Sequence, residues 1–125
     1  MKGALESLNS DKPIFLQIME MIEDDILSGV YKAGDLIIST TQISKLLNVN
    51  PTTSVKAVGK LTDEGILYKK RGIGMCVTNE AKNIILTRRK KDFIGTIVPE
   101  LVNEANKLNI SENELIEIIR GIRHD

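Results

Sequence analysis

The residues whose types most clearly indicate a chemical interaction form a short cationic run near the middle of the chain. Lys69, Lys70 and Arg71 are followed by Gly72 and, one residue later, by Gly74. Cationic side chains beside glycines can approach a negatively charged surface closely, because a glycine adds no side chain to the contact. The run therefore indicates a contact with a polyanion.

The charge distribution points to the same part of the chain. The 125 residues carry no net charge, but residues 40–91 hold 11 basic and three acidic side chains, a net charge of +8. Residues 1–39 and 92–125 each carry a net charge of −4. A basic middle predicts a polyanion-binding surface, and a solvated lysine face with no partner is the alternative that charge alone leaves open.

Polar residues that precede the cationic run have the spacing of helix starts. Ser39 and Gln42 stand three positions apart, so each side chain can bond a backbone N–H of the other. Asn50 precedes Pro51, which joins a capping side chain to a proline at the first helical position. Hydroxyl and amide groups in such places can also bond phosphates and base edges.

Apolar periodicity predicts the helices that position these residues. A first helix is predicted over 13–28, a second from Ser39 to Asn48, and a third over about 51–64. The buried faces of the three helices are predicted to consist, in chain order, of Ile14, Ile18, Met21, Ile22 and Ile26; of Ile43, Leu46 and Leu47; and of Val55, Val58 and Leu61. The second and third helices, joined by a tight turn, have a helix-turn-helix pattern.

Two short apolar runs flank the cationic run and predict a β-hairpin. They are 66–68 and 75–77, with the two glycines in the turn between them. A helix-turn-helix followed directly by a basic hairpin is typical of a winged helix, in which one helix enters a DNA groove and the wing follows the phosphates. A basic turn that merely faces solvent is the alternative.

The rest of the chain is predicted to be helical and to be too short to bury its own apolar side chains. The helical pattern resumes near Asn79, Pro99 is expected to kink or split it, and Ser111 and Glu114 form a second capping box before a helix over about 112–122. The wide apolar faces of residues 79–125 exceed what so short a segment can cover. We therefore expect a homodimer formed through 79–125.

Several functions are excluded by the residues present. There is no stretch of about 20 apolar residues, as a membrane span requires. Cys76 and His124 are the single cysteine and histidine, which leaves no usual zinc site, no disulfide framework and no nucleophile–histidine pair. We expect neither enzymatic activity nor a cofactor, and a reducing cytoplasm as the location. The basic run 87–91 is interpreted as a solvated segment, with a DNA-backbone or anionic-effector contact as the alternative.

Several segments together resemble a known family over about residues 13–78, with order and spacing kept. They are Pro-Ile-Phe-Leu-Gln-Ile (13–18), Ile-Leu-Ser-Gly-Val-Tyr-Lys-Ala-Gly-Asp (26–35), Ser-Thr-Thr-Gln-Ile-Ser-Lys-Leu-Leu-Asn-Val-Asn-Pro-Thr-Thr (39–53), Leu-Thr-Asp-Glu-Gly-Ile-Leu (61–67) and Lys-Arg-Gly-Ile-Gly (70–74). This stretch resembles the DNA-binding domain of the GntR family of bacterial transcription regulators. The Val-Asn-Pro turn and the short helical tail look most like the YtrA-type subfamily, whose members dimerise through that tail.

The resemblance implies which residues contact DNA. By position, the family contacts fall at Thr41, Asn50, Thr52, Thr53, Arg71 and Gly72, and the start of the second helix adds Ser39, Thr40 and Gln42. Lys56 and Lys69 are added because of their charge and placement. Where the family usually carries arginine, this chain has Leu36 and Thr41, and many members also carry arginine at the position of Val55. The affinity and the operator sequence therefore do not transfer from relatives.

The sequence thus predicts a mainly α protein with a small β-hairpin. A flexible tail (1–12) is followed by a winged helix-turn-helix domain (13–78) and a C-terminal helical dimerisation or effector segment (79–125). The predicted function is that of a homodimeric repressor that binds a double-stranded DNA operator of its own or an adjacent operon, with a transporter operon as one class of target. Regulation with an effector and regulation without one both stay open. A winged-helix module that binds another protein is the alternative.

Overall fold

A computed structural model describes residues 11–125, which form two compact units. The first unit extends to Leu86 and the second covers Thr87–Asp125. The predicted tail, 1–12, lies almost entirely outside the described residues, and the functional division at 78/79 stays a prediction. The helices are α1 (Ile14–Leu27), α2 (Thr40–Leu47), α3 (Pro51–Asp63), α4 (Ala81–Asp92), α5 (Val98–Lys107) and α6 (Glu112–Arg123); the strands are β1 (Leu67–Lys70) and β2 (Gly74–Val77).

Local capping signals determine where α2 and α3 begin. The Ser39 hydroxyl accepts from the Gln42 N–H at 3.1 Å, and the Gln42 side chain accepts from the Ser39 N–H at 2.9 Å. Helix α2 ends at Asn48, whose φ of 53° is left-handed. Asn50 caps α3, and Pro51 is its first residue. The predicted caps of both helices are confirmed.

The core of the first unit lies between α1, α2, α3 and the hairpin. Its largest fully buried apolar side chains are contributed by every one of these elements and by α4: Ile18, Ile22, Ile43, Leu61, Ile66, Leu67 and Ile85. Burial of this many branched side chains is the main term that stabilises the unit.

Three residues that were predicted to be buried are exposed instead. Ile14 is 45% exposed, Leu46 is 61% exposed and Val55 is 56% exposed. Helix α3 buries Ser54, Ala57, Val58 and Leu61. Each step of three residues along an α-helix falls about 60° short of a full turn, so a stripe at 55, 58 and 61 drifts off one face. The prediction for Val55 was wrong for this reason.

The hairpin extends further into polar sequence than the apolar runs predicted. Leu67 pairs with Val77 and Lys70 pairs with Gly74 in an antiparallel register. The ladder is built from backbone groups, so lysines can occupy it when one face is open to solvent. Leu36 adds an isolated bridge to Cys76 on the other edge of β2.

The second unit is helical and contains the interruption that was expected near Pro99. A π-helical turn, Phe93–Ile97, joins α4 to α5, and the backbone stays helical through it. Pro99 follows this turn as the second residue of α5 and has no N–H to donate to the preceding turn. Before α6, the Ser111 hydroxyl accepts from the Glu114 N–H at 3.1 Å. The Glu114 carboxylate accepts from that hydroxyl instead of the Ser111 N–H, so only half of the second predicted capping box forms.

Candidate nucleic-acid interface

Helix α3 presents a distinct solvent-facing side. Thr52, Val55, Lys56, Gly59 and Lys60 are exposed, while the opposite side packs into the core. This exposed side follows the Asn50 cap and has the dimensions of a helix that fits a major groove.

The Asn50 cap determines which of its polar atoms can act outward. Its Oδ1 accepts from the Thr52 N–H at 3.0 Å and from the Thr52 hydroxyl at 2.8 Å. Both lone pairs of that oxygen are therefore occupied, and the amide hydrogens of Asn50 remain as donors. In this conformation Asn50 can donate to a phosphate or to a base acceptor.

A buried hydroxyl pair fixes the angle between α2 and α3. Ser44 donates to Ser54 at 2.8 Å, and both residues are buried. A satisfied buried hydrogen bond specifies one packing arrangement, because any shift would leave two hydroxyls without a partner. The sequence analysis missed this pair, since two serines ten positions apart give no local signal.

The lysines of α3 lie over an aromatic ring of α1. The ammonium nitrogen of Lys56 is 4.1 Å from the centroid of the Phe15 ring, and that of Lys60 is 5.7 Å away. The contact with Lys56 has cation–π geometry. A groove of about 400 Å³ beside it is lined by Ile14, Phe15, Thr52, Thr53 and Lys56. Phe15 had not been predicted to take part in the site.

The wing presents its cations at an exposed turn. Lys69, Lys70, Arg71 and Gly72 are all exposed, and Gly72 has a φ of 78° that favours glycine. Gly74 closes the turn, and a Cβ placed there would lie 3.0 Å from a Leu36 methyl carbon.

The wing and the start of α2 share one cleft. A cavity of about 310 Å³ is lined by residues of both elements, among them Ser39, Thr40, Gln42 and Lys69. Thr41 is exposed on α2, and it is absent from this lining. Most of the predicted site residues thus divide into three groups: this cleft, the groove at the start of α3, and the wing turn. Thr41 and Asn50 line neither the cleft nor the groove.

The cysteine and the histidine that were considered for catalysis or metal binding lie apart from the candidate interface. Cys76 is buried in β2, and His124 is exposed beside the end of the chain. Among the described residues there is no group of three or more side chains that could hold a metal ion. Within residues 11–125, no helix is long and apolar enough to span a membrane.

Comparison with known proteins decides the family. The model of the bacterial regulatory proteins of the gntR family matches residues 15–77. The chain belongs to the GntR family. This GntR-family chain is 30% identical to the HTH-type transcriptional repressor YtrA of Bacillus subtilis over 116 residues, which is 93% of this chain and 88% of that protein. The resemblance to YtrA-type members is thereby confirmed, and members of the family are transcription regulators rather than enzymes.

Solved structures of GntR-family proteins share the fold. A putative regulator from Bacteroides thetaiotaomicron superposes with a TM-score of 0.74 at 31% identity, covering 90% of this chain and 97% of that one. A regulator from Listeria monocytogenes superposes with a TM-score of 0.70 at 30% identity, covering 90% and 96%. The predicted winged-helix fold is confirmed.

Proposed function

We propose that this GntR-family regulator binds a double-stranded DNA operator through the first unit and acts as a homodimer. The observation that carries the proposal is that one winged-helix unit presents both the exposed side of α3 and a wing with three consecutive cations. The proposed contacts are the residues of the three groups above together with Thr41 and Asn50: Ser39, Thr40, Thr41, Gln42, Asn50, Thr52, Thr53, Lys56, Lys69, Arg71 and Gly72.

Self-association is supported by the apolar surface of the second unit. Ala105 is the one residue of Thr87–Asp125 that is buried. Large apolar side chains of this unit are exposed: Phe93, Ile94, Ile97, Leu101, Val102, Leu108, Ile116, Ile118, Ile119 and Ile122. Such a surface is far more apolar than a monomer usually exposes, and a second copy would bury it symmetrically.

Repression is the expected outcome of operator binding, because a bound dimer blocks access to the promoter. The Bacillus subtilis relative is named a repressor, which favours this outcome for a chain similar to it along most of its length. We propose that the regulated genes are its own or an adjacent operon, with a transporter operon as one class of target. An effector would act by changing the spacing of the two DNA-binding units. The site of action is then the bacterial cytoplasm.

A salt titration of DNA binding tests the proposal. Affinity for duplexes from the chain's own upstream region and for scrambled duplexes is measured by fluorescence anisotropy. For a dimer that contacts about six to ten phosphates, log affinity should fall with log salt by about 0.9 per phosphate. Preference for the upstream duplex supports a sequence-specific regulator. No binding at low salt contradicts the proposal and favours a module that binds another protein.

The wing has its own test in the same assay. Arg71→Ala should weaken binding to all duplexes and reduce the salt slope by about 0.9 per lost phosphate contact, because the wing follows the backbone. Arg123→Ala, at an exposed arginine that ends α6, is the matched control and should leave the slope unchanged. Equal affinity of Arg71→Ala and the unaltered chain would remove the wing from the interface.

The dimer is tested by sedimentation equilibrium. Ile119→Asp places a charge on the exposed apolar face of α6, where a monomer would tolerate it and a dimer interface would not. We expect the unaltered chain to sediment as a dimer and the variant as a monomer with unchanged helicity. A monomeric unaltered chain at micromolar concentration would contradict this part of the proposal.

A further inference from the structure

We infer that Val55 reads a thymine methyl group in the major groove, and that each operator half-site therefore has an A·T pair opposite the middle of α3. The inference rests on the proposed function and names the base chemistry that the same surface recognises. It arises from an apolar side chain that lies exposed between Thr52 and Gly59 on a helix face where hydrogen-bonding groups are already engaged.

The side chains around Val55 on the exposed side of α3 are small, and the surface there carries methyl groups. Val55 is 56% exposed, and Thr52 and Gly59 lie three positions before it and four after it on the same helix face. A Cβ placed on Gly59 would meet no atom within 4 Å, so this part of α3 is open. A helix with small side chains on its exposed face can approach the floor of a groove closely.

Adenine readout by an amide side chain is blocked at the start of α3. A bidentate contact with adenine requires one acceptor and one donor from the same amide. The Asn50 oxygen already accepts two hydrogen bonds from Thr52, at 3.0 Å and 2.8 Å. On α2, the Gln42 oxygen accepts from the Ser39 N–H at 2.9 Å.

Guanine readout by a cation is equally disfavoured on α3. Residues 1–86 contain a single arginine, Arg71, which lies in the wing turn. Lys56 and Lys60 direct their ammonium groups toward the Phe15 ring, at 4.1 Å and 5.7 Å from its centroid. Both ammonium groups thus lie near an aromatic ring of α1.

Apolar contact is the readout that Val55 itself can supply beside these groups. Thymine carries the 5-methyl group in the major groove, and apolar side chains recognise a thymine by contact with it. The two methyl groups of Val55 provide such a contact without any loss of hydrogen bonds.

Deoxyuridine substitution tests the inference directly, because it removes only the 5-methyl group. Duplexes are first selected from a random library by the full chain, and each thymine of the selected site is then replaced singly by deoxyuridine. We expect one thymine in each half-site whose replacement weakens binding about fourfold, as for the loss of one buried methyl group. Val55→Ala should abolish that sensitivity while binding stays salt-dependent.

Val30→Ala is the matched control, since Val30 is an exposed valine in the turn that follows α1. It should keep the deoxyuridine sensitivity of the unaltered chain. If selected duplexes bind specifically but no thymine is sensitive, or if Val55→Ala keeps the sensitivity, the inference is overturned and operator binding stands. If no duplex is selected at all, the proposed function fails and the inference falls with it.

Discussion

In the first unit, large apolar side chains such as Ile22 and Leu61 are about 1% exposed or less, whereas in the second unit Ile97 and Leu108 are more than half exposed. Both units are helical and both begin helices with capping serines. The difference lies in what their apolar faces contact. The first unit encloses its own apolar core, while the second leaves large apolar side chains exposed.

The largest effect on the free energy of unfolding is expected from a comparison of one leucine in each unit. Leu61→Ala should lower the free energy of unfolding by about 2–5 kcal/mol, because it removes buried methyl groups and leaves a cavity. Leu108→Ala should change it by about 0.5 kcal/mol or less in dilute protein, since that side chain is 67% exposed. Urea denaturation measures both. Equal losses for the two variants would mean that the units do not differ as described.

The buried hydroxyl pair gives an intermediate effect that is specific to the first unit. Ser54→Ala leaves the Ser44 hydroxyl buried without its partner and should cost about 1–3 kcal/mol. The double variant Ser44→Ala/Ser54→Ala should recover part of this loss, because both polar groups are then absent. A double-mutant cycle from urea denaturation provides the coupling. Additive losses would show that the pair does not fix α2 against α3.

The smallest loss of stability is expected when the two capping serines are replaced. Ser39→Ala and Ser111→Ala each remove a hydroxyl that accepts from a backbone N–H, at a cost of about 1 kcal/mol. Ser39→Ala should lower the stability of the whole first unit, because α2 is part of its core. Ser111→Ala should increase amide hydrogen exchange at the start of α6 alone. Global destabilisation by Ser111→Ala would show that the second unit unfolds together with the first.

Signals that act between near neighbours could be predicted from the sequence. The Ser39–Gln42 box, the left-handed Asn48 and the Asn50 cap before Pro51 depend on backbone groups within four residues, and each is present. The half-formed capping box at Ser111 shows the limit of such signals. The Glu114 carboxylate can accept from the Ser111 hydroxyl or from the Ser111 N–H, and in the structure it accepts from the hydroxyl.

Features that depend on distant partners could not be predicted in this way. Periodicity assigned Val55 to the core, but the core is completed by Ser54, whose polarity is satisfied only by Ser44 on another helix. The position of Phe15 beneath Lys56 likewise joins α1 to α3. The sequence predicts residues of a DNA interface, and the structure shows which of their polar atoms already have hydrogen bonds within the chain.

The mass of the protein–DNA complex shows whether a dimer of the chain binds the operator. Sedimentation velocity of the 13.9 kDa chain with a selected duplex measures how many protomers bind each site. For a homodimer that binds DNA phosphates, we expect two protomers per duplex and a complex that dissociates as the salt concentration is raised. A complex with one protomer per duplex, or no complex at low salt, would contradict it.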